Sequence, residues 1–307
     1  MYNRMKIEYV RHYIGSVFLF ILLPLLITGC LKEDINNCYT PVLIRVVAEA
    51  PQGADPINLQ DVNHVVLFIF DKNGNFIDKL IGQIDQIFEL NYPGEENLSI
   101  VGLANITDAN EKVTQFSNGM PETDGKILLI EMQEYLAQAI YASPSDIFWG
   151  ETDVVNDKSG ITNVLTVKRI VASINIKIRG LKELLQTDNE DFKVVVSTNF
   201  NTIDFGGHPE GSNTNYLPAG GKFQIQSPSQ FDIPSFRILS SESGSPVVLK
   251  IYHNNQLIDV VTKDANGNPL ICYNGKLLEI RVNYIGNIEV SIINGQWGKE
   301  TAWKNFN

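Results

Sequence analysis

From Val42 onward the chain is organised by short apolar runs and by alternation of apolar and polar positions, the period of a β-strand. Val42 to Ala50 places Val42, Ile44, Val46 and Ala48 on one face and Leu43, Arg45 and Val47 on the other. His64 to Phe70 (HVVLFIF) is nearly continuous in apolar and aromatic residues, the pattern of a strand covered on both faces. Asp71-Lys72-Asn73-Gly74 then reads as a turn, with Asn75 to Ile81 returning as a hairpin partner. Ile87–Leu90 and Leu98–Asn105 read as further strands, separated by Tyr92-Pro93-Gly94, and Phe148-Trp149-Gly150 reads as a short packing segment.

One stretch departs from this period. Leu129, Met132, Leu136 and Ile140 recur at spacings of three and four, which predicts an amphipathic helix.

Ile161 to Gly180 carries a change of phase. Leu165 and Val167 are apolar at odd positions, whereas Ile170, Ala172, Ile174, Ile176 and Ile178 are apolar at even ones, opposite Ser173, Asn175, Lys177 and Arg179. A one-residue slip exchanges the two faces of a strand, so Lys168-Arg169 marks a bulge or the chain leaving one sandwich and entering another. The domain boundary is placed there, dividing 41–168 from 169–307. The second part is again strand-like, with a helical turn at Leu181–Leu185, strands at Phe192–Thr198, Lys222–Gln226, Phe236–Leu239, Val247–Tyr252 and Leu257–Val261, a long polar segment at Asp204–Gly221, and a hairpin formed by Leu278–Tyr284 and Ile288–Ile292. Many short strands divided by turn residues predict a mainly β protein of two tandem β-sandwich domains.

The N-terminal residues follow other rules. Arg4, Lys6 and Arg11 precede a 14-residue stretch, Ile14–Ile27, that holds no charge. It is shorter than the ~20 apolar residues of a spanning helix and fits a secretory signal over residues 1–29. Ile27-Thr28-Gly29-Cys30 supplies an aliphatic residue, small residues and a thiol, the requirements of a lipidation site, with the lipid on Cys30. Two or three acyl chains hold a protein stably at a bilayer without spanning it. Residues 30–40 read as a tether that opens with Leu31-Lys32-Glu33-Asp34.

Composition narrows the chemistry. Removing residues 1–29 takes away three basic residues and one acidic one, leaving 21 Lys and Arg against 34 Asp and Glu, a net charge near −13. That balance argues against nucleic acid, whose binding draws on clustered cations. His12, His64, His208 and His253 are scattered and there is no C-x-x-C, so no metal site is expected. Asp71, Asn73 and Asn75 alternate as calcium ligands do, but an EF-hand loop has its glycine at position six and a bidentate Glu at position twelve, whereas here Gly74 is fourth and Gly82 twelfth; Asp264–Asn268 repeats the pattern, and both read as turns. There is no G-x-S-x-G, P-loop or H-E-x-x-H, and Glu131 with Glu134, or Asp188 with Asp191, read as solvated acidic faces, so no catalytic residues are assigned. Cys38 and Cys272 could form a disulfide in an oxidising compartment, a pairing that sequence leaves open.

Taken together, the lipobox, the spacing from Cys30 to Cys38, VVLFIFD-x-x-G-x-F at Val65–Phe76, LSIVGLAN at Leu98–Asn105, VKRIVASINIKIRG, and the terminal VSI…W at Val290–Trp297 resemble the FimB-type fimbrial anchor lipoproteins of Bacteroidales. The resemblance extends over most of the mature chain. It implies two transthyretin-like sandwiches, an outer-membrane location exposed at the cell surface, no cofactor beyond the covalent lipid, and fimbrial shaft subunits as partners, joined by strand addition. Related shaft subunits are cleaved after an arginine at the end of the first strand. Here Arg45 lies inside the first strand, so an anchor that keeps its lipid and a subunit released by cleavage near Arg45 are both open. A surface glycan-binding lipoprotein is the alternative of another class, with Trp149, Tyr216, Trp297 and Trp303 as candidate platform residues.

Overall fold

The computed structural model describes residues 40–50, 57, 59–155, 160–241, 244–286 and 289–296. The lipobox Ile27-Thr28-Gly29-Cys30, Cys38, Trp297 and Trp303 lie outside the described residues. The chain is mainly β. Its first part runs β1 Val42–Glu49, β2 Val65–Asp71, β3 Phe76–Gly82, β4 Ile87–Leu90, β5 Asn97–Ala104, β6 Glu111–Val113, β7 Lys126–Leu129, β8 Glu131–Tyr135, β9 Gln138–Tyr141, β10 Phe148–Val155 and β11 Thr162–Arg169. After Ile170 come β12 Val171–Arg179, helix α1 Leu181–Leu185, β13 Phe192–Thr198, β14 Thr202–Asp204, β15 Pro209–Glu210 and β16 Thr214–Tyr216. The chain continues as β17 Lys222–Gln224, β18 Ser227–Leu239, β19 Val248–His253, β20 Gln256–Val261, β21 Lys276–Asn283 and β22 Glu289–Gln296.

A seven-stranded sheet has the order β3-β2-β5-β10-β11-β1-β4. It folds over on itself at β10 and β11, which share only the pairs Phe148–Arg169 and Trp149–Lys168. Leu165 of β11 therefore packs on β5, two places away in the strand order: a Cβ on Gly102 would sit 2.6 Å from Leu165 Cδ2. Val42, Ile44 and Val46 of β1, Leu165 and Val167 of β11, Val65, Leu67 and Ile69 of β2, and Leu98 and Ile100 of β5 form one core between the layers. The alternation expected of the first strand is observed, with Ile44 and Val46 inside and Arg45 in solvent.

The other faces of β2 and β5 are buried too, as the continuous apolar run HVVLFIF predicts. Phe68 and Phe70 point into a second core, where they meet Phe76, Phe116 and Phe205 in edge-on and tilted pairs with ring centroids 5.0–6.5 Å apart. Such geometries let the positive ring edge meet a negative ring face. This core continues without a break into β12 (Ile174, Ile176, Ile178), β13 (Val194, Val196), β19 (Leu249, Ile251) and β21 (Leu278, Ile280, Val282).

The phase change at Lys168-Arg169 is a passage between sheets. β11 pairs with β1, whereas β12, one residue later, lies between β18 and β21 in the sheet β17-β18-β12-β21-β22. Segments before and after Ile170 also share sheets. β6 and β7 join β14 and β15, while β8 and β9 extend the sheet β20-β19-β13-β16-β9-β8. The polar side of β12 is buried as well: Lys177 Nζ lies 2.9 Å from Glu279 Oε2, and Arg281 Nε donates to Glu279 Oε1 at 2.6 Å. Pairing of this kind is what makes buried charge tolerable.

Four expectations are corrected here. Leu129–Ile140 is not a helix but the end of β7 followed by the β8–β9 hairpin, turned by Leu136 and Ala137 at φ 50° and 59°. Met132 is 62% exposed, so the spacing of three and four marks no common face. Phe148-Trp149-Gly150 opens an eight-residue strand instead of standing alone. The polar segment Asp204–Gly221 contains the short strands β15 and β16, and the strand expected at Phe236–Leu239 begins at Ser227.

The loop 142–147, between β9 and β10, ties the two parts together. Glu111, fully buried, accepts from the Ser145 backbone N–H at 2.5 Å and from the Thr107 N–H at 3.1 Å, while Arg169 donates to Asp146 and Arg237 Nε to the Pro144 carbonyl. Burial raises the Glu111 carboxyl above its ordinary value, against the opposing effect of these hydrogen bonds. Replacing Glu111 by Ala orphans two backbone donors and is expected to destabilise the fold by about 1–3 kcal/mol in denaturant titration. Because the folded-state value is raised, the unfolded chain deprotonates first, so the wild-type advantage is largest below the ordinary glutamate range and shrinks as pH rises through the raised value. Gly150→Ala places a Cβ against the Thr166 carbonyl, just beyond the two pairs that β10 shares with β11. It is expected to cost about 1–3 kcal/mol by the same measurement.

Candidate functional site

Arg45 sits at the centre of β1 with a strand on either side, paired to Val164 of β11 and to Ile87 of β4. Its guanidinium reaches Asp85 in the β3–β4 connection, Nε to Oδ1 at 2.7 Å, and both side chains are about half exposed. One residue on, the Val46 carbonyl accepts from the Asp85 backbone N–H at 2.8 Å. The Arg45–Val46 peptide bond is thus held in an extended, doubly flanked strand, whereas a protease requires a segment that can leave its sheet. The ion pair adds little to this, since exposed pairs are worth about 0–1 kcal/mol. The ladder and the buried Ile44 and Val46 hold the strand.

Where β10 and β11 separate, β11 keeps β1 on one side and β10 keeps β5 on the other, so their facing edges have no ladder partner among the described strands beyond Lys168 and Trp149. Around this opening Val155, Ile161 and Val164 are 63%, 67% and 53% exposed. At its inner end is a cleft of about 610 Å³, lined by Trp149, Glu151, Thr166, Lys168, Gly207 and His208 among others. The indole Nε1–H of Trp149 donates to the Phe205 carbonyl at 2.8 Å, and Gly207 lies against the ring, where a Cβ would not fit. Unpaired strand edges beside exposed aliphatics accept an added strand through backbone hydrogen bonds. Sequence reasoning did not find this edge, because nothing in an alternating pattern says which side of a strand lacks a neighbour.

The remaining candidates are distributed elsewhere. Tyr216 is 2% exposed within the second core and cannot serve as a glycan platform, which corrects that expectation. Trp149 is half buried. Cys272 is fully buried and has no disulfide partner among the described residues, and desolvation pushes its thiol pKa up. Asp71 accepts from the backbone of Asn73 and Asn75 and from the Asn75 side chain, and Asp264 does the same with Asn266 and Asn268. Those bonds lower both carboxyls and consume their acceptor capacity within the turn. Among the described residues there is no cluster that could hold a metal ion.

A chain of packed sheets with a sealed first strand and an open sheet edge fits a structural subunit, and comparison with known families defines the class. Residues 35–303 match the model of the Fimbrillin-A associated anchor proteins Mfa1 and Mfa2, and the chain belongs to this family of non-enzymatic fimbrial anchors. Among its relatives, the major fimbrium anchoring subunit FimB of Porphyromonas gingivalis strain W83 is 28% identical over 306 residues, covering 92% of this chain and 95% of FimB. The structure of the fimbrial anchor protein Mfa2 from Porphyromonas gingivalis superposes with a TM-score of 0.58 at 15% identity, covering 84% of this chain and 97% of Mfa2. A Bacteroides thetaiotaomicron protein proposed to bind polysaccharide superposes with a TM-score of 0.64 at 13% identity, over 84% of this chain and 96% of that one. At such identities these two likenesses concern the fold alone.

Arg-specific proteolysis of the native protein is expected to spare Arg45–Val46. Asp85→Ala should leave the bond protected, whereas Ile44→Ala, at a core cost of about 2–5 kcal/mol, should open β1 locally and speed the cut severalfold. N-terminal sequencing of the fragments gives the rates.

Proposed function

We propose that this chain is the lipid-fixed base of a fimbrium: acylated on Cys30, held at the outer face of the outer membrane, and joined to the first shaft subunit by strand addition. The observation that carries the reading is the seating of β1. Arg45 lies within a ladder, with Ile44 and Val46 in the core. Cleavage there would remove half of an internal strand, so the body and the lipid stay joined. Family membership and the FimB relatives support the same role.

For the architecture we propose two tandem transthyretin-like sandwiches, 41–168 and 169–307, with β6 to β9 of the first reaching across to the second. The folded-over seven-stranded sheet and the change of sheet at Ile170 support it. The edge offered to the shaft is the opening between β10 and β11, where an entering strand meets edges that have no ladder partner among the described strands, flanked by Val155 and Val164. A shaft subunit is the partner favoured over a polysaccharide: of the candidate platform residues, Tyr216 is buried and one face of Trp149 is occupied by Gly207, while Trp297 and Trp303 lie outside the described residues.

Mass spectrometry of the protein taken from outer membranes tests this. A diacylated or triacylated Cys30 peptide whose chain runs unbroken through Arg45 is expected. An N-terminus at Val46 overturns the anchor role. In cells carrying Cys30→Ser, fimbriae should be shed into the medium instead of remaining attached.

A further inference from the structure

We infer that the β1–β11 ladder is a mechanical clamp, which holds the folded body to its N-terminal tether when the chain is under tension. Its biological sense rests on the anchoring role proposed above; its physics rests on strand direction. β1 and β11 are parallel and share seven consecutive pairs, from Leu43–Thr162 to Glu49–Lys168. The tether joins β1 at Val42, one end of that ladder, and the chain leaves β11 at Arg169, the other end. Tension between these two points slides the strands past one another along their length, so the interstrand bonds are strained together and none can fail alone. Ile44, Val46, Leu165 and Val167, all fully buried, must be dragged through a close-packed core in the same step. On its other side β1 is also bonded to β4 and, through the Val46 carbonyl, to Asp85.

The opposite end of the chain has the contrary geometry. β22 is a sheet edge, antiparallel to β21, and its last residue Gln296 pairs with Lys276, next to the Leu277–Ser173 pair where β12 begins. A pull between the start of β12 and the end of β22 acts on one end of the sheet. It unzips β22 pair by pair, each step breaking little. The molecule thus resists at the tethered end and yields at the other. Forced unfolding is governed by the barrier met along the pull and not by equilibrium stability, so the two halves can differ in strength whatever their thermodynamic ranking.

Optical-tweezer pulling of the mature chain, residues 30–307, between handle domains at its two ends reads this directly. A low-force release from the C-terminal half is expected first, then a release at higher force of about 40–44 nm, the extended length of residues 41–169 less the length of the β1–β11 ladder already spanned in the fold. Moving the first attachment to Glu49→Cys in a Cys30→Ser, Cys38→Ser background makes tension enter β1 at the end where β11 leaves. The ladder then unzips, and the late release should occur at a several-fold lower force. Equal forces in the two geometries, or release of the N-terminal half before β22, would overturn the clamp. Glu49 is exposed, and an unchanged denaturation curve confirms that the variant folds. The forces are properties of the isolated chain: shed fimbriae or a Val46 N-terminus decide the anchoring role without altering them.

Discussion

The parallel pairing of β1 with β11 is the constraint on which the rest depends. It closes the seven-stranded sheet into two layers, because β11 is held to β1 along seven pairs and to β10 by only two. It fixes Arg45 outside and Ile44 and Val46 inside, and it sets the direction in which β11 delivers the chain to Ile170 and β12. The open edge between β10 and β11 has the same origin. β10 is committed to β5 in one layer and β11 to β1 in the other, so the two strands must part.

The second constraint is burial on both sides of β2, β5 and β12. A strand with one wet face can be cut away with its sheet as an independent unit, whereas one covered on both faces joins two cores. Phe68, Phe70, Val101 and Leu103 belong to the same cluster as Ile174, Ile176 and Ile178. Residues before and after Ile170 are therefore packed as one body from Pro41 onward. There is thus no flexible joint at Ile170, midway along the described chain.

Much of this was legible in the chain. HVVLFIF announced a doubly covered strand by having no polar phase at all, and the odd-to-even change at Lys168-Arg169 announced a break that left a bulge and a passage between sandwiches both open; the structure has a change of sheet there. The five-residue helix at Leu181–Leu185 and the turn at Asp71–Asn75 were also readable. The hairpin β8–β9 was not. Its turn has Leu136 and Ala137 at positive φ, without the Asn or Gly that normally signals such a turn. The conformation is held from outside: Tyr135 donates to Asn255 at 2.9 Å and meets Tyr252 edge-on, while Lys250 reaches Gln138 at 3.1 Å. Contacts with residues more than a hundred positions away override a local preference that a window of a dozen residues would report.

The sequence by itself determined the strand-rich class and the faces of β1, because these depend on side-chain period and on residues close together in the chain. Only the tertiary structure decided which strands are neighbours, that Arg45 is enclosed between β11 and β4, that Tyr216 and Cys272 are interior, and that an edge stands open beside Val164. Those properties belong to pairings between segments far apart in sequence, and an alternating pattern specifies a strand's two faces while leaving its two edges undetermined.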